Sequence, residues 1–108
     1  MLIENVEVIS TGLAIPDEYG LSQNYPNPFN PATTIQFQIP EASFVTLQIY
    51  NITGVLVKTL ISENLSTGYY NYVWDGKNNS GKSVSSWIYL FRFQAKGFTD
   101  INLMTFIK

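Results

Sequence analysis

The chain has 108 residues, of which 45% are apolar, 15% aromatic and only 13% charged, with a formal charge of −2. This excludes a disordered chain, which needs low hydrophobicity and high net charge. It also excludes a nucleic-acid footprint, which needs clustered basic residues, whereas Lys58, Lys77, Lys82, Arg92, Lys96 and Lys108 are scattered. Neither Cys nor His is present, so disulfide frameworks, thiolate or imidazole metal sites and Ser-His-Asp chemistry are all ruled out.

The length suits one domain. No apolar run is long enough to span a bilayer as a helix. Met1 to Asn5 lacks the basic region and apolar stretch of a signal peptide, so an exported domain would take its signal from further upstream. Residues 1–20 read as a linker or a weak edge strand, and the linker reading is preferred. Val6 and Val8 alternate with Glu7, and Gly12, Pro16 and Gly20 punctuate the segment.

Residues 21–108 read as the folded domain. Leu21 to Pro31 runs Leu-Ser-Gln-Asn-Tyr-Pro-Asn-Pro-Phe-Asn-Pro. Pro26, Pro28 and Pro31 remove backbone donors and push Tyr25, Asn27 and Asn30 towards extended geometry, which forbids a helix. Tyr25 and Phe29 are the large apolar groups expected to pin this segment against a sheet.

Strand signals follow in close succession. Thr33–Ile39 places Ile35, Phe37 and Ile39 on one face, and Pro40 to Ser43 is a turn. Phe44–Tyr50 turns Val45, Leu47 and Ile49 inward, and Asn51 to Gly54 reverses the chain. Val55–Ile61 is a third run, followed by a loop from Ser62 to Gly68. Tyr69–Trp74 sets Tyr70, Tyr72 and Trp74 on one face against Tyr69, Asn71 and Val73 on the other. A polar loop spans Asp75 to Ser86, and Trp87–Ala95 and Phe98–Ile107 close the chain around Lys96-Gly97. The first of these closing runs is apolar on both faces, as expected of a central strand. Short strands, frequent turns and no helical period predict an all-β, immunoglobulin-like antiparallel sandwich of six to seven strands.

The string Asn24-Tyr25-Pro26-Asn27-Pro28-Phe29-Asn30-Pro31, with Thr33-Thr34-Ile35 and Ile39-Pro40-Glu41 after it, closely resembles the opening of type A C-terminal sorting domains of the type IX secretion system. Val45 to Asn51 with Gly54 resembles that family's second strand and turn. Gly68 with Val73-Trp74-Asp75-Gly76, Gly81 and Val84 resembles its tryptophan hairpin and loop, and Ile88-Tyr89, Phe91 and the stretch ending in Lys108 its closing hairpin. The same pattern, less specifically, marks the immunoglobulin-like domain of flagellar hook-capping proteins.

The resemblance implies a non-catalytic domain at the end of a longer secreted protein. It would be recognised by an outer-membrane translocon in the periplasm and cleaved by a sortase-like peptidase as the cargo reaches the cell surface or medium. The sequence departs from the pattern at Trp87, where the family has Gly, and at Asn102 and Leu103, where it tends to carry basic residues. Trp87 implies an altered turn or an extra packing contact, and Lys108 alone keeps the terminal positive charge. Two alternatives stay open: a hook-cap-like assembly or spacer module, and a carbohydrate-binding sandwich. Open strand edges also leave room for weak homodimerisation.

Candidate sites are few. Glu41, Glu63, Asp75 and Asp100 fall on separate turns or strands and make no obvious acid–base pair. Asp75, Asn78, Asn79 and Ser80 form an oxygen-rich cluster, but Lys77 interrupts it and no Glu closes it. A turn, with Gly76 and Gly81 supplying positive φ, is preferred to a calcium loop. Tyr69, Tyr70, Tyr72, Trp74 and Trp87 are read as core and cross-strand pairs rather than a sugar platform. Lys58 is a formal candidate for an internal isopeptide bond with an Asn, which is not expected to form.

Overall fold

Alternating apolar residues at period two drive this fold. Ile35, Phe37 and Ile39 on one sheet and Val45, Leu47, Ile49, Phe91 and Phe93 on the other are all buried, facing each other across the middle layer. The computed structural model describes residues 15–108. Its strands are β1 (Gly20–Leu21), β2 (Thr33–Ile39), β3 (Ser43–Asn51), β4 (Leu56–Leu65), β5 (Gly68–Trp74), β6 (Trp87–Ala95) and β7 (Phe98–Phe106). Every pairing between these strands is antiparallel. One sheet has the order β1-β2-β5 and the other β4-β3-β6-β7. The expected two-sheet sandwich is therefore what the chain adopts.

β6 is central, between β3 and β7, which accounts for its apolar residues on both faces. The segment read as a linker divides at the limit of the described residues. Val6, Val8 and their neighbours lie outside that range. Further along, Pro16 is buried, Tyr19 stacks on Phe98 at 5.6 Å, and Gly20–Leu21 pairs with β2.

Strand ends at Asn51, Leu56, Gly68 and Phe106 differ from the expected ranges by one residue, and two further differences, at Ser43 and at Ser62 to Leu65, have a structural cause. Ser43, placed in a turn, begins β3 and is buried, its hydroxyl donating to the Glu41 carbonyl at 2.9 Å. Ser62 to Leu65, placed in a loop, extends β4 along Ser43 to Thr46. Ser62, Glu63 and Asn64 are exposed on an edge strand, where polar side chains cost little and blur the alternation.

Aromatic packing closes one end of the sandwich. The buried Trp74 ring meets Phe29 at 5.6 Å and Tyr89 edge-on at 5.4 Å, and Phe29 stacks on Phe106 at 4.8 Å. Such pairs contribute roughly 0.5–1.5 kcal/mol each beyond the area they bury.

Candidate recognition surface

Residues Asn24 to Pro31 form a strap that crosses from one sheet to the other. At its start Tyr25 exchanges both backbone hydrogen bonds with Thr34 of β2, at 3.0 and 2.9 Å. At its end Phe29 N–H donates to the Thr105 carbonyl (2.9 Å), and Ile107 N–H donates to the Phe29 carbonyl (3.0 Å). The prolines leave few backbone donors in the strap, and the ones used here pair with the sheets.

Buried side chains fix its shape. Asn24 is buried, and its Nδ2 donates to Thr33 Oγ1 (3.0 Å) and to the Pro26 carbonyl (3.2 Å). Thr33 Oγ1 donates to the same carbonyl at 2.8 Å. Asn27 Oδ1 accepts from Thr105 N–H at 2.9 Å, and Gln23 Nε2 donates to the Leu103 carbonyl at 2.7 Å. The strap thus satisfies the outer edge of β7, and its sequence and the last strand form a single structural unit.

Phe29 is pinned as expected, but Tyr25 is not. Its side chain is 79% exposed, because the backbone pairing with Thr34 turns it away from the core that Phe29 fills. Tyr25, Pro26, Asn27, Pro28, Asn30 and Pro31 are exposed, and beyond the end of β7 so are Ile107 and Lys108. Lys108 N–H donates to Ser86 Oγ at 2.9 Å. The Phe29 backbone bonds bring the far end of the strap alongside the end of β7, and the exposed strap residues carry no charge.

The departures from the sorting-domain pattern sit beside it. Asn102 Nδ2 reaches the Ser22 carbonyl at 3.4 Å, and Leu103 is exposed on the outer sheet face. Trp87, for which an altered turn or an extra packing contact was expected, is 61% exposed at the start of β6 and lies outside the buried core. At a strand end its neighbours do not cover it.

The tryptophan loop is built from capped turns. Trp74 Nε1 donates to the Lys77 carbonyl at 2.9 Å, and Gly76 (φ 75°) and Gly81 (φ 83°) take the left-handed conformations that favour Gly. Asp75 Oδ1 accepts from Lys77 N–H, and Asn78 Oδ1 from Ser80 and Lys82 N–H. Asn79 leaves the cluster altogether. Its Oδ1 accepts from Thr59 N–H (3.1 Å) while its N–H donates to the Val57 carbonyl (3.0 Å), which covers the outer edge of β4. The side-chain oxygens of Asp75, Asn78 and Asn79 accept from separate backbone amides, the arrangement of the preferred turn.

The aromatic residues do not make one platform. Trp74 is buried, Tyr70 and Tyr72 stack against Phe37 at 5.2 and 5.9 Å, and Tyr69 lies on the outer face of the smaller sheet while Trp87 belongs to the larger. The carboxylates are likewise dispersed: Glu41 pairs with Lys96 at 3.4 Å, Asp100 caps Ile101 N–H, and Glu63 is exposed on β4. Lys58 is half-buried on β4 opposite Ile49. Burial raises the Tyr89 phenol above its ordinary pKa, while its hydroxyl donates to the Ser85 carbonyl at 2.7 Å.

One cluster escaped the sequence reading. On the outer face of the larger sheet Arg92 lies over the Tyr50 ring (5.2 Å) and donates through Nη2 to Tyr50 Oη (2.8 Å) and Gln48 Oε1 (3.2 Å). Its Nε is buried without a partner. The only sequence signal was a charge interrupting an apolar strand.

The FlgD Ig-like domain family matches residues 26–97, from the strap to the turn after β6. The chain belongs to that family. Its fold is similar to the crystal structure of FlgD from P. aeruginosa, at 26% identity and a TM-score of 0.54, over 68% of this chain and 59% of that one. It is also similar to dimeric latent PorU from Porphyromonas gingivalis, at 22% identity and a TM-score of 0.66, over 94% of this chain and 10% of that one. The chain therefore spans under two thirds of the FlgD chain and a small part of PorU. No curated protein matches it. The family is one of non-catalytic structural modules.

Proposed function

We propose that this FlgD-type Ig-like domain is a non-catalytic sorting domain, which directs an upstream cargo through the type IX secretion system to the cell surface or medium. The observation that carries the reading is the strap. The string that most resembles type A sorting domains is anchored by Asn24 and Phe29, and it leaves Tyr25 and the three prolines exposed, with its Phe29 end bonded to the exposed Ile107. A translocon that accepts folded cargo needs such a rigid surface, because little conformational entropy is then lost on recognition. A sortase-like peptidase would cut upstream of Pro16, leaving the body intact, since Pro16 is buried and Tyr19 is docked on Phe98.

The test is a fusion of the whole chain to the C-terminus of a periplasmic reporter in a type IX-competent host. Export of the reporter is expected. Reporter that stays in the periplasm, with the domain folded, counts against the reading. Family membership favours a second one, an assembly or spacer module of the hook-cap kind. In that case the domain would bind neighbouring subunits and leave the reporter's location unchanged.

A further inference from the structure

The exposed edge of β5 is self-complementary, and we infer that two copies of the chain pair there to form one continuous sheet. Ser22 N–H donates to the Gln36 carbonyl, and Thr34 exchanges both bonds with Tyr25. The backbone groups of Thr34 and Gln36 therefore face β1 and the strap, while those of Thr33, Ile35, Phe37 and Ile39 face β5. In an antiparallel ladder a hydrogen-bonded pair exchanges both bonds. The register then directs the backbone of Trp74, Tyr72, Tyr70 and Gly68 at β2. Tyr69, Asn71 and Val73 are left with N–H and C=O pointing away from the sheet, without a strand beside them among the described residues.

The other edges are guarded. β1 is two residues long. β4 is bulged twice and covered by Asn79 at Val57 and Thr59. β7 is covered by Gln23, Asn27 and Phe29. β5 has no bulge, proline or charged residue, and so lacks the devices that ordinarily block edge pairing.

A two-fold axis at Asn71 aligns Asn71 with Asn71 of the second copy, and Tyr69 with its Val73. These are the residues whose backbone groups face outward, so each pair exchanges two hydrogen bonds. The same register sets exposed side chains together. Tyr69 (60% exposed) meets Val73 (61% exposed) twice, as aromatic and β-branched cross-strand neighbours. Thr34, Gln36 and Gln38 flank them on β2, so no like charges are brought together. Backbone phase and side-chain pairing select the same register, which marks out the second copy as the occupant. The inference is independent of the sorting reading.

Sedimentation equilibrium of the whole chain is expected to show a reversible, concentration-dependent dimer that Val73→Lys, still folded by circular dichroism, converts to monomer. Since the chain has no Cys, Asn71→Cys is expected to cross-link to its symmetry mate on mild oxidation, while Thr34→Cys on the neighbouring strand still dimerises reversibly but forms no cross-link. A monomer at millimolar concentration overturns the proposal. So does a dimer unaffected by Val73→Lys, or cross-linking at Thr34→Cys without cross-linking at Asn71→Cys. The cross-link decides the matter if Val73→Lys fails to fold.

Discussion

Gly76 lies directly against the Phe106 ring: a Cβ built on it would stand 2.9 Å from Phe106 Cζ. Gly76 also has φ of 75°, so a side chain there meets both a left-handed backbone and a buried ring. Gly81 has φ of 83° with nothing within 4 Å of its Cβ position. Gly76→Ala should lose about 2–4 kcal/mol, combining left-handed strain with overpacking, and Gly81→Ala only about 1–2 kcal/mol. Urea unfolding followed by Trp fluorescence separates them. Equal losses would mean that the ring contact is unimportant.

The strap divides into an anchor and a surface. Phe29→Ala empties a site among Trp74 and Phe106 and should cost about 3–5 kcal/mol. Tyr25→Ser, with its backbone bonds kept and its ring already in solvent, should change stability by under about 0.5 kcal/mol. Thermal melts of the two variants check this.

Tyr89 makes stability fall in alkali. Its phenol is raised by burial, so above the ordinary tyrosine range the unfolded chain has lost a proton that the folded one retains. The unfolded state then binds fewer protons, and stability declines as pH rises. Tyr89→Phe should lose about 0.5–1.5 kcal/mol at neutral pH with its hydrogen bond to Ser85. It should also show a shallower decline above pH ~10. Denaturation midpoints across pH give both quantities.

Asn79 joins the tryptophan loop to β4. Asn79→Ala removes the acceptor for Thr59 N–H and should cost about 1 kcal/mol. Amide exchange should accelerate at Thr59 and not at Leu47, which lies in the middle of the core.

The inward rows of β2 and β3 were legible because each alternates with its own polar neighbours, and the family pattern was legible in the strap and tryptophan loop. The rest depended on partners distant in sequence. Whether Phe29 or Tyr25 enters the core is decided by the edge of β7, about 76 positions away at Thr105. The polar end of β4 is a strand because β3 lies beside it, and Asn79 leaves an apparent ligand cluster because Val57 and Thr59 need partners. Arg92 reads as an isolated charge until β3 brings Tyr50 and Gln48 alongside.

As a recognition surface carried on a stable sandwich, the strap must lose function without losing stability when its exposed ring is removed. The most direct test of this is the exported fraction of a reporter fused ahead of the whole chain, with and without Tyr25→Ser, in a type IX-competent host. Export of the wild-type fusion is expected, with periplasmic retention of a Tyr25→Ser fusion that is equally folded. Periplasmic retention of the wild-type fusion, or export unaffected by Tyr25→Ser, would contradict that recognition role.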